Sequence, residues 1–374
     1  FHEKPFAGIN GSGKHANWSV GTDTGLNFFH PGKTDEARKV FVTAIACLAY
    51  GLCQYNEAMR CAVASAGNDH RLGAQEAPPA IISLYPGEGF QAHVEAIVAG
   101  GDLLGYTAER KAQSTGCTAS MPVEANCEDR NRTAPFPFCG NRFEFRAVGS
   151  SQNCAFPVML CNAVMAAGMA HVARLIEGGT SHRDAVAQTF KENRHVIFTG
   201  NGYSDVWPLE ASMRGLPNLR TTPEAIAAWD SVKNKALFRT MGVFTNEETE
   251  AVKHIMYENY ITSLTVEAQT LLQMLETGIV PACAQDLEEG AAFSKLAGER
   301  PALYERIAEE SEKLQGLLDM TPRGDAAEEA VYLCSVVKPQ MGAVRELVDK
   351  AEGLMRRGVY PYPSYEELLY AHHH

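Results

Sequence analysis

The chain has 374 residues, of which 45% are hydrophobic and 21% are charged, and its formal net charge at pH 7 is -12. This length exceeds what one hydrophobic core usually spans, so we expect two domains. The acidic balance argues against nucleic acid and against anionic membranes as partners. We find no signal peptide, no apolar run near the roughly 20 residues of a membrane span, and no CxxC pair among the ten cysteines. These features predict a cytoplasmic protein with reduced thiols that crosses no membrane.

The first patterned stretch is residues 4–19, KPFAGINGSGKHANWS. It contains the G-x-x-x-x-G-K spacing of a phosphate-binding P-loop, but His15 stands where that loop needs Ser or Thr, and a strand pattern follows instead of a helix. We therefore set the P-loop aside. A glycine-rich turn still lets backbone N–H groups approach an anion, and strand alternation places His15, Asn17 and Ser19 on one side. An ordinary glycine-rich turn with a surface histidine is the alternative.

Residues 36–65 carry apolar side chains at helical spacing, which predicts one buried helix or two, with Thr34 or Asp35 as the N-cap. A glycine-marked loop follows, and it carries Arg71 and Glu76. Taken singly, Arg71 is explained by an ion pair at the surface, and Glu76 is explained as a loop charge exposed to solvent.

Residues 129–153, DRNRTAPFPFCGNRFEFRAVGSSQN, hold the next charged pattern. Charged and apolar residues alternate over residues 141–148, so Arg142, Glu144 and Arg146 share one face of a predicted strand. Two guanidinium groups and a carboxylate on one face indicate a binding role, because unpaired charges are rarely turned inward. A solvent-facing ladder of ion pairs is the alternative.

The remainder of the chain is predicted to be helical. Residues 157–177 are apolar and alanine-rich, and a further helix starts at residues 181–184. Pro281 and a glycine-containing stretch near residue 290 are expected to interrupt long amphipathic segments. Those segments are residues 222–240, 245–277, 302–318 and 325–357. They predict a helical bundle in which we identify no chemistry, since its histidines do not cluster.

Residues 4–19 resemble the ATP-site signature of glutamine synthetases. That signature runs Lys-Pro, an apolar residue, a spacer, Asn-Gly-Ser-Gly, any residue, His, three residues and Ser. The residues that match it without a gap are Lys4, Pro5, Phe6, Asn10, Gly11, Ser12, Gly13, His15 and Ser19. The Glu-Ala-Pro triplet at residues 76–78 and the Arg-x-Glu-x-Arg strand resemble two further family motifs. The stretch NDHRLGAQEAPP and the long helical tail resemble the type III branch in particular.

The resemblance implies an α+β fold. An antiparallel-sheet catalytic domain would be present in part over residues 1–180, with an insertion at about residues 86–128. The insertion, with one helix at residues 90–98, is expected to be peripheral and to serve as an oligomer contact. A helical C-terminal domain of the type III kind would follow over residues 181–374. The branch forms homo-oligomers of stacked hexameric rings, so a dodecamer is expected.

The resemblance also implies roles for individual residues. His15 and Glu144 would ligate the second metal, Mg²⁺ or Mn²⁺. Arg142 would lie near the nucleotide phosphates, and Arg146 would hold the transferring phosphoryl group and the γ-carboxylate of glutamate. Arg132, in a stretch that resembles the family's Asn-Arg-Ser-Ala, would be a further phosphate arginine. The chain departs from the family five residues later, where proline stands in place of an arginine.

Arg71 resembles the arginine that holds the substrate glutamate in this family. Glu76 resembles the flap glutamate that shields the acyl phosphate from water and takes a proton from ammonium, a transfer that suits a carboxylate. The remaining implied assignments are substrate binding for Asn10 and Gly11 and nucleotide binding for Asn17 and Ser19.

The implied function is the ATP-dependent ligation of ammonia to L-glutamate through γ-glutamyl phosphate, in glutamine biosynthesis. Other metal ligands of the family lie upstream of the Lys-Pro motif. We therefore expect this chain to be the C-terminal portion of a longer polypeptide and incomplete for catalysis by itself. Two alternatives stay open. One is a glutamate–amine ligase of the same fold, and the other is an inactive fragment or assembly module.

Overall fold

The computed structural model of the chain describes residues 13–71, 80–106, 110–113, 123–126, 133–290 and 297–370. It divides into two compact units, Phe1–Lys253 and His254–His374, and each is described by itself. Four of the predicted site residues lie outside the described residues, namely Asn10, Gly11, Glu76 and Arg132.

Short strands and helices make up the first unit, and helices make up the second. The described strands and α-helices of the first unit are β1 (Gly13–Trp18), α1 (Asp35–Gln54), α2 (Asn56–Cys61), β2 (Leu84–Tyr85), α3 (Glu88–Val98), β3 (Arg110–Gln113), β4 (Val123–Asn126), β5 (Phe136–Pro137), β6 (Phe143–Gly149), α4 (Ala155–Glu177), α5 (His182–Asn193), α6 (Trp207–Met213), α7 (Thr222–Ala227) and α8 (Val232–Thr240). The following helices are α9 (Asn246–Met274), α10 (Val280–Gly290), α11 (Arg300–Asp319), α12 (Ala326–Tyr332), α13 (Lys338–Leu354) and α14 (Tyr365–Tyr370). The predicted α+β class is therefore confirmed in its coarse form, as a mostly helical fold with small sheets.

Strands β1 and β6 pair in antiparallel orientation, and this pair carries two of the predicted motifs. The register joins Asn17 with Glu144 and shifts between Lys14 and Ala16, so that two residues of β6 stand opposite His15. Such a β-bulge bends a strand and redirects its side chains. In the other described pairs, β2 lies parallel to β5 and β3 lies antiparallel to β4.

An aromatic cluster covers one side of the β1–β6 pair. The ring centroids of Phe143 and Phe145 lie 5.5 and 5.1 Å from that of Phe136, and the rings of Trp18 and Phe29 lie 5.2 Å apart. Each of these five side chains is at most 5% exposed. Strand alternation thus sends the aromatic residues into the core and leaves the intervening polar residues for the opposite side.

Helices α1 and α4 approach each other to backbone contact at two glycines. A Cβ atom on Gly51 would lie 2.2 Å from the carbonyl oxygen of Val164, and one on Gly168 would lie 2.0 Å from the carbonyl oxygen of Cys47. An approach this close requires residues without a Cβ atom. The side chain of Thr34 caps α1, as the sequence predicts.

Helix α4 is long and apolar enough to cross a membrane by length and composition, with a mean hydropathy of 1.5 over its most apolar window. The expectation that the chain has no such run is therefore wrong. Half of that window is buried inside the protein, and α4 packs against α1 and α5. A core helix passes the same test, so among the described residues this single helix is weak evidence for a membrane span.

Helix α3 confirms the helix predicted at residues 90–98, but the region around it is not peripheral. Phe90 is fully buried, and its ring centroid lies 5.5 Å from Phe41, 5.1 Å from Tyr106 and 6.3 Å from Phe190. The predicted insertion therefore contributes to the core of the first unit, because Phe90 contacts aromatic rings on two segments outside the insertion, Phe41 in α1 and Phe190 in α5.

The compact units divide after Lys253, whereas the motifs place a domain boundary at residue 180. Helix α5, which follows residue 180, packs on α1, α3 and α4. Trp229 is fully buried and lies 4.5 Å from Phe238 between ring centroids, which extends the first unit further along the chain. The assignment of residues 181–374 to a separate family domain stays a prediction.

Two prolines lie within continuous helical segments. Helix α9 runs through a π-helical segment, Leu275–Ile279, into α10, whose second residue is Pro281. A second π-helical segment, Leu333–Val337, precedes Pro339 in the same way. The wider i→i+5 turn accommodates a residue that lacks an N–H donor and would clash with the preceding turn of an α-helix. The predicted interruption at Pro281 is therefore wrong, since the helical path continues.

Candidate active site

The β1–β6 pair brings together a histidine, a glutamate and an arginine. His15 Nδ1 lies 3.2 Å from Glu144 Oε1, and Arg146 donates from Nε and Nη2 to Glu144 Oε2 at 2.9 and 2.8 Å. Glu144 and Arg146 are 3% and 5% exposed, whereas the His15 side chain is 48% exposed. The Glu144 carboxylate therefore binds the buried guanidinium of Arg146 through one oxygen and directs its other oxygen toward the half-exposed imidazole of His15.

Arg142 and Asn17 form a second contact on the same two segments. Arg142 Nε donates to Asn17 Oδ1 at 2.7 Å. Asn17 and Ser19 are exposed, whereas Ala16, before Asn17, and Trp18, between the two, are buried. The alternation predicted for this strand is thus present, and it leaves Asn17 and Ser19 accessible to a ligand in solution.

Arg71 lies against the backbone of β6. Its guanidinium donates to the carbonyl oxygens of Val148 at 2.9 Å and Arg146 at 3.1 Å, and to Asn68 Oδ1 at 3.1 Å. Arg71 is 2% exposed, and a Cβ atom on Gly13 would lie 2.5 Å from its Cζ atom. These contacts fix the guanidinium beside Arg146, and its predicted role in glutamate binding stays a prediction.

The His15–Glu144 pair fits one side of a divalent-cation site. Adjacent ligands of an octahedral cation lie about 3 Å apart, because each metal–oxygen bond is about 2.1 Å long. Nδ1 of His15 and Oε1 of Glu144 are separated by 3.2 Å, which matches this spacing. The carboxylate is a preferred ligand for both Mn²⁺ and Mg²⁺, and the imidazole is a less preferred ligand for them. Among the residues that the structure describes, no group of three or more His, Cys, Asp or Glu side chains is arranged to hold a metal ion. The pair alone would bind a cation weakly, since Mg²⁺ prefers several oxygen ligands.

Two residues without any assigned role in the motifs contact this site. Cys139 Sγ lies 3.9 Å from Glu144 Oε2. Asn68 is 1% exposed and donates from Nδ2 to the carbonyl oxygen of Ala147 at 2.9 Å. Its position in a glycine-marked loop three residues before Arg71 is the signal that could have identified Asn68, whereas the sequence gives no signal for Cys139.

A cysteine–histidine pair lies outside this arrangement. Cys53 Sγ is 2.9 Å from His195 Nε2, which is the geometry of an activated thiol. Burial raises the pKa of Cys53 to about 11 and lowers the pKa of His195 below its ordinary value. Both groups are therefore neutral near pH 8, with about 0.1% of the thiol ionised. A neutral half-buried pair of this kind is a structural hydrogen bond and does not supply a nucleophile.

We expect Cys53 to resist alkylation by iodoacetamide at pH 8, because the thiolate is the reactive form. Its labelling rate should rise about tenfold per pH unit up to about pH 11, following the raised pKa. Peptide mass spectrometry of timed samples measures this rate, with glutathione in the same tube as a reference thiol. Labelling of Cys53 as fast as glutathione at pH 8 would show that the pair is ionised.

The comparisons with known proteins agree with the motifs. The family described as Glutamine synthetase C-terminal domain matches residues 183–292. The chain is 34% identical to the type-3 glutamine synthetase of Dictyostelium discoideum, over 99% of this chain and 54% of that protein. It is 33% identical to the glutamine synthetase of Bacteroides fragilis and 34% identical to that of Butyrivibrio fibrisolvens, over 99% of this chain and 55% and 56% of the relatives. The chain thus spans about half the length of the curated relatives that it matches. The resemblance predicted from the motifs is confirmed.

Proposed function

Because the chain belongs to the glutamine synthetase family over the part that it spans, we propose that it contributes to an active site that ligates ammonia to L-glutamate with consumption of ATP. The product is glutamine, and the intermediate is γ-glutamyl phosphate. The arrangement of His15, Glu144 and Arg146 on neighbouring strands is the observation that carries the proposal. The similarity to glutamine synthetases along 99% of the chain supports it.

Arg146 is suited to stabilise a transferring phosphoryl group. Phosphoryl transfer spreads negative charge over the equatorial oxygens, and cations that are fixed before the reaction stabilise this charge without reorganisation. Glu144 holds the Arg146 guanidinium through two donors inside the protein, so its orientation is set in advance. In this proposal Arg142, tied to Asn17, supplies a second positive charge near the nucleotide, and Arg132 supplies a third.

His15 and Glu144 are the residues of this chain that would hold a divalent cation, Mg²⁺ or Mn²⁺. When bound, such an ion supplies charge neutralisation for the oxygens of ATP and of the transferring group. The contribution of the chain itself is orientation. Arg146 immobilises one carboxylate oxygen, and the other faces His15.

The proposed reaction has two displacements. A γ-carboxylate oxygen of glutamate attacks the γ-phosphorus of ATP, and the bond from phosphorus to the ADP oxygen breaks. Glu76 then takes a proton from ammonium, and the nitrogen of the resulting ammonia attacks the acyl carbon. The bond from the acyl carbon to the phosphate oxygen breaks, and the phosphate leaves with the proton that the new amide nitrogen loses. Arg71, Asn10 and Gly11 are proposed to bind glutamate. Nucleotide binding is proposed for Asn17 and Ser19, and a dodecamer of stacked hexameric rings is proposed as the assembly.

A panel of amines tests the proposed activity. We expect protein produced from its full reading frame, supplied with ATP, Mg²⁺ and glutamate, to show its highest kcat/KM with ammonia. Methylamine, ethanolamine and spermidine should each react with kcat/KM lower by about 100-fold or more, because a site shaped for ammonia has no room for a carbon chain. Phosphate release and chromatographic detection of the amide measure these rates.

Reactions without glutamate and reactions without amine are the controls for ATP hydrolysis alone. A highest kcat/KM with spermidine or ethanolamine would establish a glutamate–amine ligase instead. Phosphate release that does not depend on any amine would contradict both ligase activities.

A further inference from the structure

The turn that carries Arg71 is held to strand β6 by Asn68. This short 3₁₀ turn, Asn68–His70, places Asn68 at 1% exposure. Asn68 Nδ2 donates to the carbonyl oxygens of Val63 at 2.6 Å and Ala147 at 2.9 Å, and its Oδ1 accepts from Arg71. A buried side chain with three such bonds fixes the turn on the side of the strands.

The opposite side of the same turn is held by the start of α7. The Thr222 hydroxyl lies 2.7 Å from Asp69 Oδ1 and 3.0 Å from the carbonyl oxygen of Ser65, and the Thr222 N–H donates to Asp69 Oδ2 at 3.4 Å. Thr222 is 1% exposed. These residues are 153 positions apart in the chain, and Thr222 lies in the helical half to which the motifs assign no chemistry.

A buried charge pair adds to this connection. Arg60 Nη2 lies 4.0 Å from Asp69 Oδ1, with the two side chains 1% and 4% exposed. Arg60 Nε donates to the carbonyl oxygen of Leu219 at 2.8 Å, three residues before Thr222. Burial lowers the pKa of Arg60, and the charge of Asp69 opposes that shift. The segment from Leu219 to Thr222 is therefore linked to the turn directly through the Thr222 hydroxyl and indirectly through Arg60.

We propose that Thr222 and Asp69 are positioning residues that fix the turn carrying Arg71 and thereby set the affinity for glutamate. This inference rests on the proposed function, in which Arg71 binds glutamate. Arg71 donates to Asn68, so a displacement of the turn moves the guanidinium relative to β6 and Arg146. Small displacements of a positioning group are enough to weaken binding strongly.

Replacement of Thr222 by valine is the sharpest test, because valine keeps the shape and removes only the hydroxyl. Three hydrogen-bonded amides of the turn, those of residues 69–71, report its opening by hydrogen exchange. We expect their exchange in the complete enzyme to accelerate about tenfold or more, the effect of losing a hydrogen bond to a charged group. The KM for glutamate should rise about tenfold, while kcat and the KM for ATP stay within about twofold.

Two further variants separate positioning from general destabilisation. Thr222→Ser restores the hydroxyl and should restore both the exchange rate and the KM for glutamate. Thr221→Val is the matched control, because the Thr221 hydroxyl caps the same helix through Glu224. It should weaken α7 without changing exchange at residues 69–71.

Each outcome decides the inference. Unchanged exchange at residues 69–71 in Thr222→Val would overturn the connection itself, and accelerated exchange with an unchanged KM for glutamate would overturn its role in binding. An equal effect of Thr221→Val would reduce the role of Thr222 to helix stability. If the wild-type enzyme forms no glutamine, the proposed function fails separately, and the expected effect of Thr222 on the affinity for glutamate fails with it. The exchange measurement then decides whether Thr222 and Asp69 fix the turn.

Discussion

If the protein acts in glutamine synthesis as proposed, the rate of glutamine formation is expected to fall about 100-fold to 1,000-fold in the variant Glu144→Gln, the loss typical of removing one group that organises transition-state charge. The glutamine side chain introduced at position 144 keeps the size of the original side chain and an oxygen that accepts from Arg146. It removes the negative charge that pairs with Arg146 and faces His15 at 3.2 Å. The remaining amide is a poorer ligand for a divalent cation and a weaker anchor for the guanidinium.

The enzyme should still fold in this variant. Removing one member of a buried ion pair destabilises a protein by about 3–5 kcal/mol when nothing replaces it. In Glu144→Gln the amide oxygen of the new side chain takes the place of a carboxylate oxygen. We therefore expect a smaller loss and a thermal transition that is lowered but cooperative. Circular dichroism and size-exclusion chromatography check the fold and the assembly alongside the rate of glutamine formation.

Glu329→Gln is the matched control for this substitution. Glu329 is 9% exposed and accepts from Arg323 at 2.9 Å, so the same chemical change is made at another arginine-paired glutamate, in the second unit. We expect this control to retain the wild-type rate. Wild-type turnover in Glu144→Gln would remove Glu144 from the catalytic machinery.

The sequence predicts the local geometry of this site well, because strand alternation is a local property. His15 and Asn17 are exposed and Ala16 between them is buried, as alternation along β1 requires. Ser19, directly after the end of β1, is exposed as well. Glu144 and Arg146, two residues apart on β6, contact each other as side chains on one face do. The proximity of His15 to Glu144 required more than alternation, since the register of β1 against β6 shifts at His15. Only the resemblance to a known family paired these two residues in advance.

Contacts between distant segments could not be predicted from pattern and spacing. Thr222 lies in a helix whose apolar spacing indicates only a buried face, so nothing marked its hydroxyl as a partner of Asp69. Phe90 belongs to a predicted insertion, and its burial depends in part on rings supplied by two segments outside that insertion. Pro281 is a strong local signal for interruption, but a π-helical turn before it absorbs the missing donor.

Replacement of Gly168 by alanine gives the sharpest contrast between local propensity and packing. Glycine inside a helix costs about 0.5–1 kcal/mol relative to alanine, so propensity alone predicts that Gly168→Ala stabilises the protein. The structure predicts the opposite sign. The new Cβ atom would lie 2.0 Å from the carbonyl oxygen of Cys47. Because that oxygen belongs to the backbone, no side-chain rotation can relieve the clash.

The α1–α4 contact leaves no room for a local adjustment. Val164 lies one helical turn before Gly168 in α4, and its carbonyl oxygen would lie 2.2 Å from a Cβ atom on Gly51 of α1. The two helices therefore touch at two successive turns. A methyl group at either level must push the helices apart and open gaps along the buried faces of both. We expect Gly168→Ala to lower the free energy of unfolding by about 3 kcal/mol, near the upper end of the overpacking range.

Urea denaturation followed by tryptophan fluorescence measures this change in the relevant unit, since Trp18, Trp207 and Trp229 all lie in the first unit. Gly89→Ala is the matched control, because Gly89 is also helical, lies in the same unit and has open space where a Cβ atom would be. It should raise the free energy of unfolding by up to about 1 kcal/mol, as propensity predicts. Stabilisation by both substitutions would show that α1 and α4 do not pack at backbone contact, whereas opposite signs follow from the close approach at Gly168.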